Sequence, residues 1–266
     1  MVVGIIGAGP AGIACASILA RYQKDVLLFE ERAPGGLLNN ARWVENFPGL
    51  LPMSGEELVD QLKISLRHPH INLVFEKVVQ IQKHRVQTST GQIYRVDQIV
   101  LAMGTQPKIM EDWPPNPRVV FEWRDVPKGI HTLGILGAGD AAFDSGLSGL
   151  DRKYEVYLWN RSDRMKAIPL LYQSYIQAGG VYFEDEPIHR IHPFENGLLI
   201  QTGKRNMNVD VLLVSIGREK KTIIGIDLLD PTIREIGDYA HPHFRQASIA
   251  IGDGMRVGLE IISGQE

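Results

Sequence analysis

The chain has 266 residues, 44% of them hydrophobic and 22% charged, with a formal charge of −3. That balance suits a soluble globular protein of one large domain or two modest ones and supplies no basic surface for nucleic acid. The single cysteine, Cys15, excludes an internal disulfide, a Cys-x-x-Cys redox pair and a Cys-rich metal site within this sequence.

The amino terminus enters Val2-Val3-Gly4-Ile5-Ile6 without a basic leader, and no later run reaches membrane-spanning length. A cytoplasmic protein with no membrane partner is expected. Strand and helix patterns then alternate, which predicts parallel sheets with crossover helices. Residues 2–6 read as a buried strand, 11–22 as an apolar helix and 25–30 as the next strand. A loop rich in Gly, Asn and Pro leads to a helix over 55–66 and a strand over 72–75. Residues 78–82, 85–90 and 92–96 read as a meander, and 98–102 as another buried strand. The same grammar restarts with a strand at 132–136, a helix near 141–150 and strands at 155–159 and 211–215. Such duplication predicts two units of similar fold, joined through a proline-rich stretch over 107–117.

Each unit opens on a glycine-rich turn. Gly7-Ala8-Gly9-Pro10-Ala11-Gly12 follows a strand and precedes a helix. Its glycines allow a tight turn, close approach of a pyrophosphate and close helix packing, with the helix dipole aimed at the phosphates. Glu30, at the end of the second strand, stands where a carboxylate holds a ribose hydroxyl. The second turn is Gly137-Ala138-Gly139-Asp140-Ala141-Ala142. Its second strand ends at Asn160 rather than an acid, and Arg161, Arg164 and Lys166 follow. Cations without the carboxylate favour a 2′-phosphate, hence NADP over NAD; a retained unit whose nucleotide site has decayed is the alternative.

The chain resembles the low-molecular-weight thioredoxin reductases and their relatives among flavoproteins with two dinucleotide-binding domains. The resemblance rests on Gly7 to Gly12, Glu30, Gly35-Gly36-Leu37-Leu38, Val44-Glu45-Asn46-Phe47-Pro48-Gly49, Ala102-Met103-Gly104-Thr105, the second glycine turn, Ser215-Ile216-Gly217 and Ile251-Gly252-Asp253-Gly254. It implies an α/β fold of two nested Rossmann-like three-layer domains, the second inserted in the first. Residues 1–107 and 220–266 would bind FAD, and 108–219 would bind NADP. The implied FAD site comprises Gly7, Gly9, Pro10, Ala11, Gly12, Glu30, Glu31, Gly36, Leu37, Asn46, Val79, Ala102, Gly104, Gly252 and Asp253. Asp253 would hold the ribityl chain, and the 35–46 segment would wrap the isoalloxazine. The implied NADP site comprises Gly137, Gly139, Asp140, Ala142, Arg161 and Lys166. A homodimer is also implied.

Three departures from that family stand out. Its Cys-x-x-Cys lies just before the second glycine turn, where this chain has Phe121-Glu122-Trp123-Arg124-Asp125. Its His-Arg-Arg phosphate pattern is reduced to Asn160-Arg161-Ser162 with Lys166. Its helix after the Gly-Asp pair is short here, and the Arg-Gln pair used over the flavin reads as Arg256-Val257. A thioredoxin reductase run through an internal disulfide is therefore not expected.

In place of the lost disulfide, Asp125 is the candidate catalytic acid, with Glu122 as its alternative and Trp123 as a ring that stacks on the flavin. A solvated loop is the other reading of this stretch. Cys15, inside the first helix, reads as a packing residue. The histidines at 68, 70, 189, 192, 241 and 243 lack a ligand set around them, so no metal is expected. The reading is an FAD oxidoreductase that passes electrons from NAD(P)H to a small-molecule or redox-protein acceptor. An FAD enzyme fed by ferredoxin or substrate without nicotinamide, and a non-catalytic flavin-carrying subunit or sensor, are the alternatives.

Overall fold

The structure, a computed structural model, describes residues 1–110, 113, 115–226 and 230–264. Of the expected proline-rich stretch, residues 111, 112 and 114 lie outside the described residues. In chain order the first elements are β1 (Val2–Ile6), α1 (Pro10–Arg21), β2 (Asp25–Phe29), α2 (Gly55–Lys63), β3 (Ile71–Val74), β4 (Val78–Gln82), β5 (Arg85–Thr88), β6 (Ile93–Arg95), β7 (Gln98–Leu101) and β8 (Thr105–Pro107). Next come β9 (Val119–Val120), β10 (Thr132–Leu136), α3 (Asp140–Asp151), β11 (Glu155–Trp159), α4 (Pro169–Gln177), β12 (Val181–Phe183), β13 (Ile188–Phe194), β14 (Gly197–Thr202), β15 (Asn206–Val209) and β16 (Val211–Val214). The last are β17 (Arg218–Lys220), β18 (Ile233–Glu235) and α5 (Ala247–Ser263).

The chain divides into two units, one of Met1–Asn39, Val44–Gln106 and Arg218–Glu266, the other of Asn40–Trp43 and Pro107–Gly217. The boundaries read from sequence, 107/108 and 219/220, fall one or two residues later. The short run Asn40–Trp43, which sequence left in the first domain, belongs to the second unit.

In the first unit, β18-β7-β1-β2-β3 form a parallel sheet. Its central strands are almost continuously apolar because both faces are covered. On one face α1 and α5 pack with Val3, Ile5, Leu28, Val100, Ile13, Leu19, Val257 and Ile261 in a single core. A Cβ on Gly254 of α5 would overlap the Ala11 carbonyl oxygen of α1, so only glycine lets the two helices approach this closely. The antiparallel meander β4–β6 covers the other face, burying Ile81, Val86 and Val96 against Ile6, Phe29 and Leu101. The result is three layers: helices, parallel sheet, meander.

The second unit repeats this plan. Its parallel sheet runs β12-β11-β10-β16-β9. Phe143, Leu147 and Tyr175 of α3 and α4 pack on Leu133, Ile135, Val211 and Leu213. The β13–β15 meander closes the other face with Ile191, Leu198, Ile200 and Val209. The chain is thus α/β, with two Rossmann-like three-layer units, the second inserted within the sequence of the first. No helix among the described residues is long and apolar enough to cross a membrane.

Candidate cofactor sites

β1 ends at Ile6, and the chain leaves the sheet through Gly7 at φ +105°. A Cβ on Gly7 would stand 2.5 Å from the Ala102 carbonyl oxygen, and one on Gly12 would overlap the Gly7 carbonyl oxygen, so both positions exclude any side chain. Pro10 opens α1, where its missing N–H costs nothing, and the first turn carries no acid. The helix dipole at this end is therefore left for an anion. Gly36, at φ +55°, stacks backbone on backbone over Gly9, and the Gly35 N–H donates to the Ala8 carbonyl at 2.7 Å. The Glu30 carboxylate accepts the Ala8 N–H and the Arg32 N–H, both at 2.9 Å. This ties the end of β2 to the turn and leaves lone pairs for ribose hydroxyls.

Glu31 is differently placed, paired with Lys221 at 3.1 Å and Lys77 at 3.7 Å. Burial pushes its carboxyl up, but the two lysines outweigh burial and hold it below the usual range. Val79 sits where β4 slips register against β5, so it faces no cross-strand partner. The Ala102 N–H closes β7 onto the Ile6 carbonyl at 2.9 Å, and Gly104 takes φ +63° with open space where a Cβ would be. Leu37 is half-buried in the short helical turn Gly36–Asn40, and Asn46 donates to the Gln246 side-chain oxygen at 2.6 Å, just before α5.

Asp253, which the resemblance makes the ribityl ligand, has its carboxylate engaged within the protein. It lies in the middle of α5, where its two oxygens accept the Gly237 N–H at 2.7 Å and the Arg256 guanidinium at 2.6 Å. Gly252 is likewise inside the helix. Another Gly-Asp pair, Gly237-Asp238, follows β18 directly at the carboxyl end of the sheet. Gly237 takes φ +63°, and a Cβ there would stand 2.7 Å from the Ala11 Cβ, which sets this turn against the first turn of α1. Asp238 is half-buried, and its carboxylate has no hydrogen-bond partner among the described residues. Burial pushes its carboxyl up, partly offset by Arg245 and Arg218. The Arg-Gln pair assigned to Arg256-Val257 moves as well, to Arg245-Gln246, immediately before α5. Both signals are in the sequence: Ile233-Arg234-Glu235-Ile236, a short stretch with an isoleucine at each end, precedes Gly-Asp, and Arg-Gln follows it.

In the second unit Gly137 takes φ +137°, and a Cβ there would overlap the Ser215 carbonyl oxygen, while nothing approaches a Cβ on Gly139. Asp140 opens α3, puts a carboxylate at the helix N-terminus, and accepts the Ile168 N–H at 2.9 Å. Ala142 is fully buried against the sheet. Asn160 turns inward, donating to the Tyr182 hydroxyl at 2.9 Å and the Arg164 carbonyl at 3.2 Å. The Lys166 and Ala167 N–H groups both donate to the Ala138 carbonyl, folding this loop over the turn. Arg161, Arg164 and Lys166 are exposed and form no ion pair among the described residues.

The stretch standing in for the lost disulfide is a tight helical turn, Trp123–Asp125. Trp123 is no stacking ring: it is buried in the core of the second unit, with the Arg152 guanidinium 4.4 Å from its ring centre. Glu122 is paired with Arg124 at 2.6 Å. Asp125 is half-buried, and its N–H donates to the Glu122 carbonyl. Nearby in the same unit, Asp144 accepts the Arg42 N–H at 2.8 Å, and the Arg42 guanidinium meets Asp151 at 2.5 Å. Burial pushes the Asp144 carboxyl up to about 6, with Arg42 opposing and Asp140 and Asp151 adding to it. Cys15 is fully buried, and burial, then the Asp253 charge, pushes its thiol up to about 12. No cluster of three or more His, Cys, Asp or Glu that could hold a metal ion occurs among the described residues.

The sequence profile of the pyridine nucleotide-disulphide oxidoreductases matches residues 1–254. The chain belongs to this family. Pyridine nucleotide-disulphide oxidoreductases use FAD and NADPH, and the glycine cradle, Glu30 and the unpartnered Asp238 of the first unit fit the first of these. Among individual family relatives, the bifunctional thioredoxin reductase/thioredoxin of Mycobacterium leprae is 24% identical over 96% of this chain, which spans 64% of that protein. The 34.2 kDa protein in rubredoxin operon of Clostridium pasteurianum is 30% identical over 54% of this chain and 50% of its own length. The matches cover less than two thirds of the first curated relatives' own length, 64% of one and 55% of the next. Its fold is that of Lactococcus lactis thioredoxin reductase in the FR conformation: TM-score 0.85 and 22% identity, over 98% of this chain and 97% of that one.

Proposed function

We propose that this protein is an FAD-dependent oxidoreductase that passes electrons from NADPH to an acceptor other than an internal disulfide. The observation that carries the reading is Asp238, a half-buried carboxylate with no hydrogen-bond partner among the described residues, set beside the Gly7–Gly12 cradle. In this reading Glu30 accepts hydrogen bonds from the adenosine ribose, the amides at the start of α1 hold the pyrophosphate, and Asp238 accepts from the ribityl hydroxyls. The unpaired Arg161, Arg164 and Lys166 bind the 2′-phosphate, which selects NADPH over NADH. Asp125 holds or delivers the proton that accompanies electron transfer. When bound, FAD supplies the two-electron chemistry that links nicotinamide to the acceptor.

The acceptor is a small molecule or a redox protein, because the only thiol, Cys15, is sealed in the core. The name of the C. pasteurianum relative, which places it in a rubredoxin operon, supports a redox-protein acceptor. A homodimeric cytoplasmic enzyme, without membrane or nucleic-acid partner, completes the proposal. Anaerobic titration of the FAD-loaded protein with NADPH and then NADH, followed by flavin absorbance, tests it. Rapid bleaching by NADPH is expected, and tight FAD without bleaching by either nucleotide would overturn the nicotinamide step. Asp140 favours a second reading, since its carboxylate opposes a pyrophosphate at α3. There, FAD is reduced directly by ferredoxin or a substrate.

A further inference from the structure

The meander β4–β6 turns a basic edge to solvent. Strand pairing sets Arg85 of β5 directly opposite Arg95 of β6. Both are exposed, whereas Val86, next in β5, is fully buried, and its cross-strand partner Tyr94 packs edge-on against Phe29. Alternation along the strands therefore commits both guanidinium groups to one outer face. Like charges directly opposite one another destabilise a sheet. Lys83 and His84 form the turn between β4 and β5 at the same end, with Lys83 at φ +50°, an uncommon backbone for lysine.

None of Lys83, His84, Arg85 and Arg95 forms an ion pair or side-chain hydrogen bond among the described residues. The adjacent carboxylate, Asp97, is engaged by the Val2 N–H at 2.7 Å and the terminal amine at 4.0 Å. These residues line a concavity of about 650 Å³, within the size range of small-molecule sites. It lies where β1 and β7 begin, at Val2 and Asp97, whereas the cofactor loops leave the opposite, carboxyl ends of the strands. In a chain of net charge −3, three permanent cations share one recess here.

We infer that this concavity is a second anion site of the first unit, taking a small, multiply charged, phosphate-bearing ligand. Bound phosphate relieves the Arg85–Arg95 repulsion, and a recess of this size suits a compact ligand better than a protein surface. The test titrates the FAD-loaded protein with inorganic pyrophosphate by calorimetry and thermal unfolding. Saturable binding that raises the melting temperature is expected. Arg85→Gln and Arg95→Gln should each weaken Kd at least tenfold and flatten its salt dependence. Without pyrophosphate, both variants should melt at or above the wild type, because the like-charge pair is gone. The flavin spectrum checks that each variant keeps its cofactor, and Arg161→Gln should leave this binding intact. Binding unchanged by both arginine variants, no saturable binding, or capture of a poly-glutamate peptide in preference to pyrophosphate would each overturn the inference.

Discussion

Asp253 accepts the backbone N–H of Gly237 at 2.7 Å, so α5 fixes the turn that presents Asp238. Asp253 is a positioning residue, and its loss leaves a buried donor unsatisfied. Asp253→Ala is expected to cost about 1–3 kcal/mol in unfolding free energy and to weaken FAD binding. Asp253→Asn, which keeps an acceptor oxygen, should retain most of both. Urea unfolding and flavin fluorescence titration measure the two effects.

Asp238 should behave in the opposite way. Its carboxyl is raised by burial, so the folded apoprotein holds that proton more tightly than the unfolded chain does. A raised carboxyl contributes stability below its unfolded pKa and loses it as pH climbs through the folded value. Asp238→Asn is therefore expected to make the apoprotein more stable at neutral pH, with the advantage fading in acid. The same variant should weaken FAD about tenfold, as expected for one lost charged acceptor. A variant that loses stability at neutral pH while keeping full FAD affinity would remove Asp238 from the site.

Asp144 makes a pH signature in the second unit. Its carboxyl titrates near about 6 when folded, because burial outweighs the Arg42 hydrogen bond. Stability should thus fall as pH rises from roughly 4 to 6, by up to about 3 kcal/mol for a shift of some two units. Asp144→Asn should flatten that part of the stability–pH curve, read by chemical denaturation at stepped pH.

The parallel sheets were legible because strands such as Val2–Ile6 and Thr132–Leu136 are apolar on both faces and end in glycine turns whose geometry excludes side chains. The Gly-Asp turn after β18 was not. Ile251-Gly252-Asp253-Gly254 resembles the family's Gly-Asp pair, yet Ala250, Asp253, Gly254, Val257, Gly258 and Ile261 are the buried positions, at helical spacing. Packing on α1, a contact distant in sequence, makes this stretch the middle of a helix. Trp123 failed for a related reason: a lone aromatic beside charges gives no sign of which side of a turn meets a core.

The cations after β11 can be tested by nucleotide preference. Arg161→Ala is expected to raise KM for NADPH about tenfold, the loss of one charged hydrogen bond, and to leave KM for NADH unchanged. Lys166→Ala should act in the same direction and less strongly, since a lysine offers one point charge rather than a fork. Equal effects on both nucleotides in stopped-flow reduction of the flavin would mean that these residues do not read the 2′-phosphate.

Cys15 separates the proposed chemistry from a thiol relay. A thiol pushed up to about 12 in a sealed core is neither ionised nor reachable at neutral pH. A thiol reagent such as 5,5′-dithiobis(2-nitrobenzoate) should label the native protein only as fast as it unfolds, and one equivalent should react at once in denaturant. Cys15→Ser should lower the melting temperature by a few degrees, because it buries a hydroxyl at a cost of about 1–3 kcal/mol. Its rates of flavin reduction by NADPH and of reoxidation by an artificial acceptor should remain within about twofold of wild type, the small change that a residue outside the electron path produces. Loss of turnover with FAD fully bound would show that electrons pass through this sulfur, and the acceptor would then have to meet the protein at α1.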